Sequence, residues 1–240
     1  MSARKGRAIL GGSFNPPHIG HLRLVVEVYE ALSGMIDGVD LMPCARPPHK
    51  DITHLLPFDL RAAMLDALVK DTPFLRCNRQ ELLRDGESYT WMTLQDCRKA
   101  APDTDFYFIM GSADFAQLPD WFRGLELPAL CHFVVAPRGE DTVEAFAATA
   151  RAFWPKAEER PCALPGGSCT ALTGEGRADG GLAYFLPLPR LDVSASYLRR
   201  LWLAGRSLDY LVPEPALRLL RESRHIVDAC WRDAKRIAIA

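Results

Sequence analysis

Short apolar runs alternate with helical spacing along the first 150 or so residues. Arg7-Ala8-Ile9-Leu10 suits a buried strand, and Leu22, Val25, Val26, Tyr29 and Leu32 then recur on one helix face. A second strand is predicted over Val39 to Pro43, with an amphipathic helix behind it marked by Phe58, Ala62, Leu65 and Leu68. Phe74 to Asn78 is a third strand candidate. The loop Gly86 to Thr90 then feeds a helix to about Arg98, with Ser88 or Thr90 as its cap. Asp105 to Met110 is the clearest strand of all. Another follows at Cys131 to Val135, then a helix through Val143, Phe146, Ala147, Ala150 and Phe153.

Residues 155–181 break this rhythm. Pro155, Pro161, Pro165 and Pro-free glycine clusters at 166–167, 174–176 and 180–181 predict a mobile loop that adds little to the core. Deleting most of 165–180 is accordingly expected to leave activity largely intact. Ala183 to Pro187 restores a strand, Val193 to Arg200 opens a helix, and another helix follows Pro213. In the tail, Ile226, Val227, Cys230 and Trp231 can pack back as a last helix.

Strands alternating with helices in this order predict the α/β class, a doubly wound parallel sheet with a small C-terminal helical part. The α/β domain spans 1–190, including the 155–181 insertion, and 191–240 is a helical segment of the same domain. Ligands of such sheets collect beyond the carboxyl ends of the strands. The Gly11 turn, the loop with Arg46, His49 and Lys50, the stretch from Gly111 to Asp114, and Arg138 all follow strands on that edge.

Composition narrows the function classes. At 240 residues and 48% hydrophobic content the chain can bury a core of its own. A formal charge of −1 gives no general attraction to nucleic acid or membranes, so any anion site must be local. The basic N-terminus leads into only a short apolar run, and no 18 successive residues are apolar, so neither a signal peptide nor a membrane span is expected. Seven scattered cysteines without a C-x-x-C pair fit reduced thiols in a cytoplasmic enzyme rather than a structural zinc site. His132 reads as a core or edge histidine.

The chemistry concentrates between the first strand and the first helix, in Gly11-Gly12-Ser13-Phe14-Asn15-Pro16-Pro17-His18-Ile19-Gly20-His21. Gly11 and Gly12 permit a tight bend and close approach to a ligand, and the N–H groups opening the helix favour phosphate. His18 and His21, three residues apart, can face one anion from the first turn. Ser194 and Ser196 offer hydroxyls at a second helix start, with Arg199 one turn on. A plain N-cap with a surface arginine is the alternative there. A solvated basic loop is the alternative for Arg46, His49 and Lys50.

G-G-S-F-N-P-P-H-x-G-H resembles the nucleotidyltransferase signature, whose H-x-G-H is related to the H-I-G-H of class I aminoacyl-tRNA synthetases. Pro47-Pro48-His49-Lys50, Ser88-Tyr89-Thr90, the Gly111 turn followed by Leu118-Pro119-Asp120-Trp121, Val193 to Arg199, and Tyr210 to Glu214 extend the likeness. From about Ala8 to Glu222 the chain resembles bacterial nicotinate-nucleotide adenylyltransferases. Three departures stand out: Ala113 occupies the usual aspartate position with Asp114 one residue late, the 155–181 insertion is long, and the tail beyond Glu222 has no obvious counterpart.

The resemblance implies a Rossmann-like nucleotidyltransferase fold and transfer of AMP from ATP to nicotinate mononucleotide. It assigns catalysis to His18, His21, Lys50 and Arg199. ATP would be held by Gly11, Gly12, Ser13, Phe14, Gly20, Gly111, Asp114, Arg138, Ser194, Ser196 and Arg199, and the acceptor by His49, Lys50, Tyr89, Thr90 and Trp121. Trp121, otherwise a core residue, could stack on the pyridine ring. Mg²⁺ would arrive with ATP, with no dedicated metal site. ATP and nicotinate mononucleotide are the expected partners, with no nucleic acid and no membrane; a homo-oligomer is compatible. Competing readings are nicotinamide mononucleotide or phosphopantetheine as acceptor, a silent nucleotide-binding regulator, or a synthetase-like RNA-binding fragment. Chain length and the Ser88 to Thr90 and Trp121 motifs oppose phosphopantetheine, both histidines oppose the silent regulator, and the lack of a basic patch with interleaved aromatics opposes RNA.

Overall fold

Strand β1 (Gly6–Gly12) runs parallel to β4 (Asp105–Gly111), in register from Gly6 opposite Asp105 to Leu10 opposite Ile109. Ala8 to Leu10 and Phe106 to Met110 are buried residue after residue, which is why these strands read as unbroken apolar runs rather than alternations. The computed structural model describes residues 6–48, 54–137, 141–162, 164, 167–172, 181–189 and 191–232. Its other strands are β2 (Ile36–Pro43), β3 (Leu75–Cys77), β5 (His132–Ala136), β6 (Glu158–Arg160), β7 (Ser168–Leu172) and β8 (Gly181–Phe185). They form one eight-stranded sheet in the order β3-β2-β1-β4-β5-β8-β7-β6. β5 is parallel to both β4 and β8, as the alternating pattern predicts. Helices α1 (Ile19–Ala31), α2 (Phe58–Val69), α3 (Thr90–Ala100), α4 (Ser112–Ala116), α5 (Val143–Phe153), α6 (Ala195–Leu203), α7 (Glu214–Glu222) and α8 (Arg224–Arg232) complete the α/β architecture.

The 155–181 segment corrects the sequence reading. It holds β6 and β7, and β7 runs antiparallel between β6 and β8, from Ser168 opposite Phe185 to Leu172 opposite Gly181. Cys169, Thr170, Ala171 and Leu172 are all buried. Four successive buried residues show no period of two, and glycines flank them, so the strand was invisible to a periodicity test. Residues 163, 165–166 and 173–180 lie outside the described residues, and with them part of the expected mobile loop. A second correction concerns Ser88. The N-cap of α3 is Tyr89, without a side-chain bond, whereas the Ser88 hydroxyl accepts from the Arg46 backbone N–H at 3.0 Å.

The chain divides into two compact units: Met1–Leu10, Val26–Asp40 and Tyr89–Arg190 in one, Gly11–Val25, Leu41–Ser88 and Leu191–Ala240 in the other. The first is centred on an aromatic cluster in which Phe115 lies 5.1 Å from Phe146 and 5.9 Å from Phe133 between ring centroids. Its Trp154 indole N–H donates to the Leu125 carbonyl at 3.1 Å, and Arg7 pairs with the buried carboxylate of Asp40. In the second unit, Leu56 and Met64 pack with Leu198, Leu201, Leu208, Val212, Leu217, Leu220, Val227 and Trp231. The segment after 190 thus shares a core with the signature loop's own unit, and the tail closes as α8. All seven cysteines are free. Among the described residues no helix is long and apolar enough to cross a membrane.

Candidate active site

Gly11 and Gly12 complete β1 without left-handed backbone; that conformation falls on Phe14, at φ 45. The glycines are therefore not the hinge their chemistry suggests. A Cβ on Gly12 would press on the Phe14 ring at 3.3 Å, so its use is space. Beyond the cis Asn15–Pro16 peptide the loop is tied down by two side chains. The Asn15 amide donates to the His54 carbonyl at 2.8 Å, and its Oδ1 accepts from the Leu56 N–H at 3.2 Å. Arg61, 1% exposed on α2, donates to three carbonyls: Leu56 at 2.8 Å, Ser13 at 2.9 Å and Cys44 at 2.8 Å. Three carbonyl partners offset the cost of burying the cation, and they clasp the signature loop to the end of β2. This role has no local signature, because an arginine between apolar helix positions reads as surface.

The two histidines do meet. Their ring centroids are 3.7 Å apart at 33°, and the His18 backbone N–H donates to His21 Nδ1 at 3.2 Å. That bond assigns the proton of neutral His21 to Nε2. His18 is 6% exposed, and burial lowers its pKa to about 4, so it is neutral at pH 7. Its Nδ1 is buried without a hydrogen-bond partner. Gly20 makes the arrangement possible, since a Cβ there would lie 3.0 Å from that Nδ1. The N–H groups at the start of α1 are partly engaged within the protein. Ile19 N–H donates to the Leu211 carbonyl at 3.0 Å, and the His21 and Leu22 N–H groups both go to the His18 carbonyl.

Arg199 joins the same unit. Its Nη1 donates to the Asn15 carbonyl at 2.9 Å and its Nη2 to Ser196 Oγ at 3.0 Å, while burial lowers its pKa without removing its charge. Ser194 is the N-cap of α6, accepting from the Tyr197 N–H at 3.3 Å. The plain-cap alternative thus describes Ser194, and Ser196 orients the guanidinium. The loop after β2 is held at its base: Ala45 N–H donates to Glu81 at 3.1 Å, and Ser88 N–H to the Arg46 carbonyl at 2.8 Å. Burial, and secondarily Glu81, push the Cys44 thiol up to about 11, which leaves it unreactive. His49, Lys50 and Arg138 lie outside the described residues.

The other candidates belong to the first unit. Asp114 accepts from the Gly111 N–H at 3.3 Å and so closes its own turn. Tyr89 stacks near Phe122 at 4.8 Å, and Trp121 meets Phe108 edge-on at 6.3 Å. Tyr89, Thr90 and Trp121 are thereby drawn into one neighbourhood, joined by Phe122, which is 47% exposed and was missed because it reads as one more core aromatic beside Trp121. Among the described residues no group of three or more His, Cys, Asp or Glu side chains is placed to hold a metal ion.

The cytidylyltransferase-like family model matches residues 9–201. A protein of Geobacter metallireducens, named a probable nicotinate-nucleotide adenylyltransferase, is 34% identical over 90% of this chain and 95% of its own length. A namesake from Pseudomonas syringae pv. tomato is 37% identical over 87% and 88%. The chain belongs to the cytidylyltransferase-like family, among its nicotinate-nucleotide adenylyltransferases. The fold of this family member is also that of the Plasmodium falciparum nicotinic acid mononucleotide adenylyltransferase solved in complex with NaAD, at TM-score 0.65 and 16% identity over 92% of this chain and 97% of that one. Family membership and the stacked histidines meet on one loop, since the matched span opens within β1 and contains the whole signature.

Proposed function

We propose that this enzyme transfers AMP from ATP to nicotinate mononucleotide, forming deamido-NAD and pyrophosphate. One observation carries the assignment of roles: the paired His18 and His21 and the Arg199 cation are fixed to a single loop, Arg199 through the Asn15 carbonyl. The acceptor phosphate oxygen attacks the α-phosphorus of ATP, a new P–O bond forms in line with the breaking bond to the β-phosphate, and pyrophosphate leaves. No protein nucleophile is required. Catalysis is then positioning and stabilisation of charge on the phosphoryl oxygens. His21 donates through Nε2–H, Arg199 supplies fixed positive charge, and His18 is a neutral imidazole held against His21. Lys50, His49 and Arg138 are proposed to add cations to the nucleotide phosphates, and Tyr89, Thr90 and Trp121 to receive the pyridine ring. Mg²⁺, when bound, would enter as the counter-ion of ATP and offset charge on the nucleotide phosphates. Seven free thiols support a reducing compartment, the cytoplasm.

The test is pyrophosphate release from ATP with nicotinate mononucleotide, nicotinamide mononucleotide or phosphopantetheine offered in turn. Release with the nicotinate compound, at the highest kcat/KM of the three, is the expected result. Release only with another acceptor, or with none, overturns the proposal.

A further inference from the structure

Asn15 is where separate parts of the second unit converge. Besides its bonds to His54 and Leu56, its Oδ1 accepts from the Trp231 indole Nε1–H at 3.2 Å, and its backbone carbonyl accepts from Arg199 at 2.9 Å. Trp231 stands on α8, beyond residue 201 where the family match ends, and is 0% exposed. A tail that only filled a hydrophobic gap could use phenylalanine or leucine there. An indole brings a donor that must be satisfied when buried, and this donor goes to the signature loop. Asp228 sets α8 against α6 by accepting from Trp202 Nε1 at 2.7 Å, and the Trp202 and Trp231 rings meet edge-on at 5.7 Å.

We propose that Trp231 is a positioning residue for the adenylyl transfer, acting through Asn15. Its N–H fixes the Asn15 amide, which keeps the Asn15 carbonyl on Arg199 and sets the loop that leads into His18 and His21. This rests on the reaction proposed above. Without the indole donor, Asn15 Oδ1 retains only the Leu56 N–H, and the amide and its peptide gain freedom to turn. Arg199 then keeps Ser196 while its bond to the Asn15 carbonyl loosens. Because Arg199 serves charge that develops in the transition state, the loss falls on kcat and spares ATP affinity.

Trp231→Phe keeps an aromatic ring in the core and removes the donor. Asp228→Ala is the comparison, since it removes the acceptor of the Trp202 indole and loosens α8 on α6 without touching Asn15. At a temperature where circular dichroism shows both variants folded, Trp231→Phe is expected to lower kcat on the order of tenfold, the kinetic equivalent of one neutral hydrogen bond. Its ATP Kd by calorimetry should stay within about twofold, and Asp228→Ala should keep wild-type kcat. In an Arg199→Ala background, Trp231→Phe should add less than about twofold, because both changes remove the same positioning. Wild-type kcat in Trp231→Phe, or a full additive loss in that background, overturns the proposal. If Trp231→Phe does not fold, the indole N–H resonance of the otherwise wild-type chain decides: Asn15→Ala should shift it and speed its hydrogen exchange, and an unmoved resonance overturns the tie. This last measurement needs no turnover. A wild-type enzyme that releases no pyrophosphate would remove the reaction while leaving the Trp231–Asn15 bond measurable on its own.

Discussion

His21 has its Nδ1 occupied by the His18 backbone N–H, which places the proton of the neutral ring on Nε2. His18, neutral, packs against that ring with centroids 3.7 Å apart and a tilt of 33°. Each is expected to matter more to the transition state than to bound ATP. His21→Ala and His18→Ala should each lower kcat about 100-fold or more, since one preorganised donor is worth roughly 3 kcal/mol, with ATP affinity changing far less. Stopped assays of pyrophosphate release beside calorimetric ATP titrations check this, and near-normal turnover in either variant would refute it. These residues were legible in the sequence because they share one contiguous string with a fixed spacing. Arg61 and Trp231 were not, for a physical reason: their partners, the carbonyls of Ser13 and Cys44 and the amide of Asn15, are brought to them only by tertiary structure. A periodic pattern reveals which face is buried; it carries no record of what a buried polar group will meet.

At the level of elements, α3 and β7 show the two ways local sequence informs. The start of α3 was readable from Ser88-Tyr89-Thr90, and the structure leaves its N-cap Tyr89 without a side-chain cap bond. A carboxylate placed there would meet backbone donors and the positive end of the helix, whereas an amide would turn its own N–H groups toward some of those donors. The mismatch is worth about 1 to 3 kcal/mol. Nicotinate mononucleotide should therefore exceed its nicotinamide counterpart by roughly ten- to a hundredfold in kcat/KM; equal values for the two acceptors would refute the helix-end account while leaving adenylyl transfer itself in place. β7 was unreadable, since burial on both faces erased its alternation. The pairing of β7 reverses the tolerance that the glycine-rich composition suggests for deleting 165–180. That deletion removes a strand paired on both sides and buries nothing in place of Leu172, a loss on the order of 3 to 5 kcal/mol, comparable with the whole stability of many domains. Replacing only 173–180 by Asn-Gly should be mild, because Leu172 and Gly181 already face each other across the ladder and a two-residue turn can join them. Thermal melts of the two deletions check this, and a folded, stable chain without β7 would show that the strand is dispensable.

For the molecule as a whole, a near-neutral balance of −1 means that acid stability is not governed by net repulsion near pH 7. It is governed by groups whose protonation differs between the folded and unfolded chain. His18 is the clearest of them. Its pKa falls from 6.5 in the unfolded chain to about 4 in the fold, because burial disfavours the imidazolium. Between those two values the unfolded chain binds a proton that the native chain does not, so stability falls as pH falls through that window and is unaffected by this group above it. The slope approaches 1.4 kcal/mol per pH unit, and the loss reaches about 2 kcal/mol by pH 5. Carboxylates held low in the fold, such as Asp209 beside Ser207 and Arg221 and Glu126 beside Arg123, add their losses only at lower pH, as acid approaches their ordinary values. The interval from pH 6.5 to 5 therefore lies above the carboxylates, and comparison with a His18 variant separates this residue from the other five histidines. His18→Gln, which cannot titrate, should show a flatter stability profile across that interval, so the gap between variant and wild type narrows as pH drops even if the variant is less stable at pH 7.5. Urea midpoints measured every half unit provide the comparison. Parallel profiles would mean that His18 protonates as easily in the folded enzyme as in the unfolded chain, and that the neutral imidazole stacked on His21 is not the form present at work.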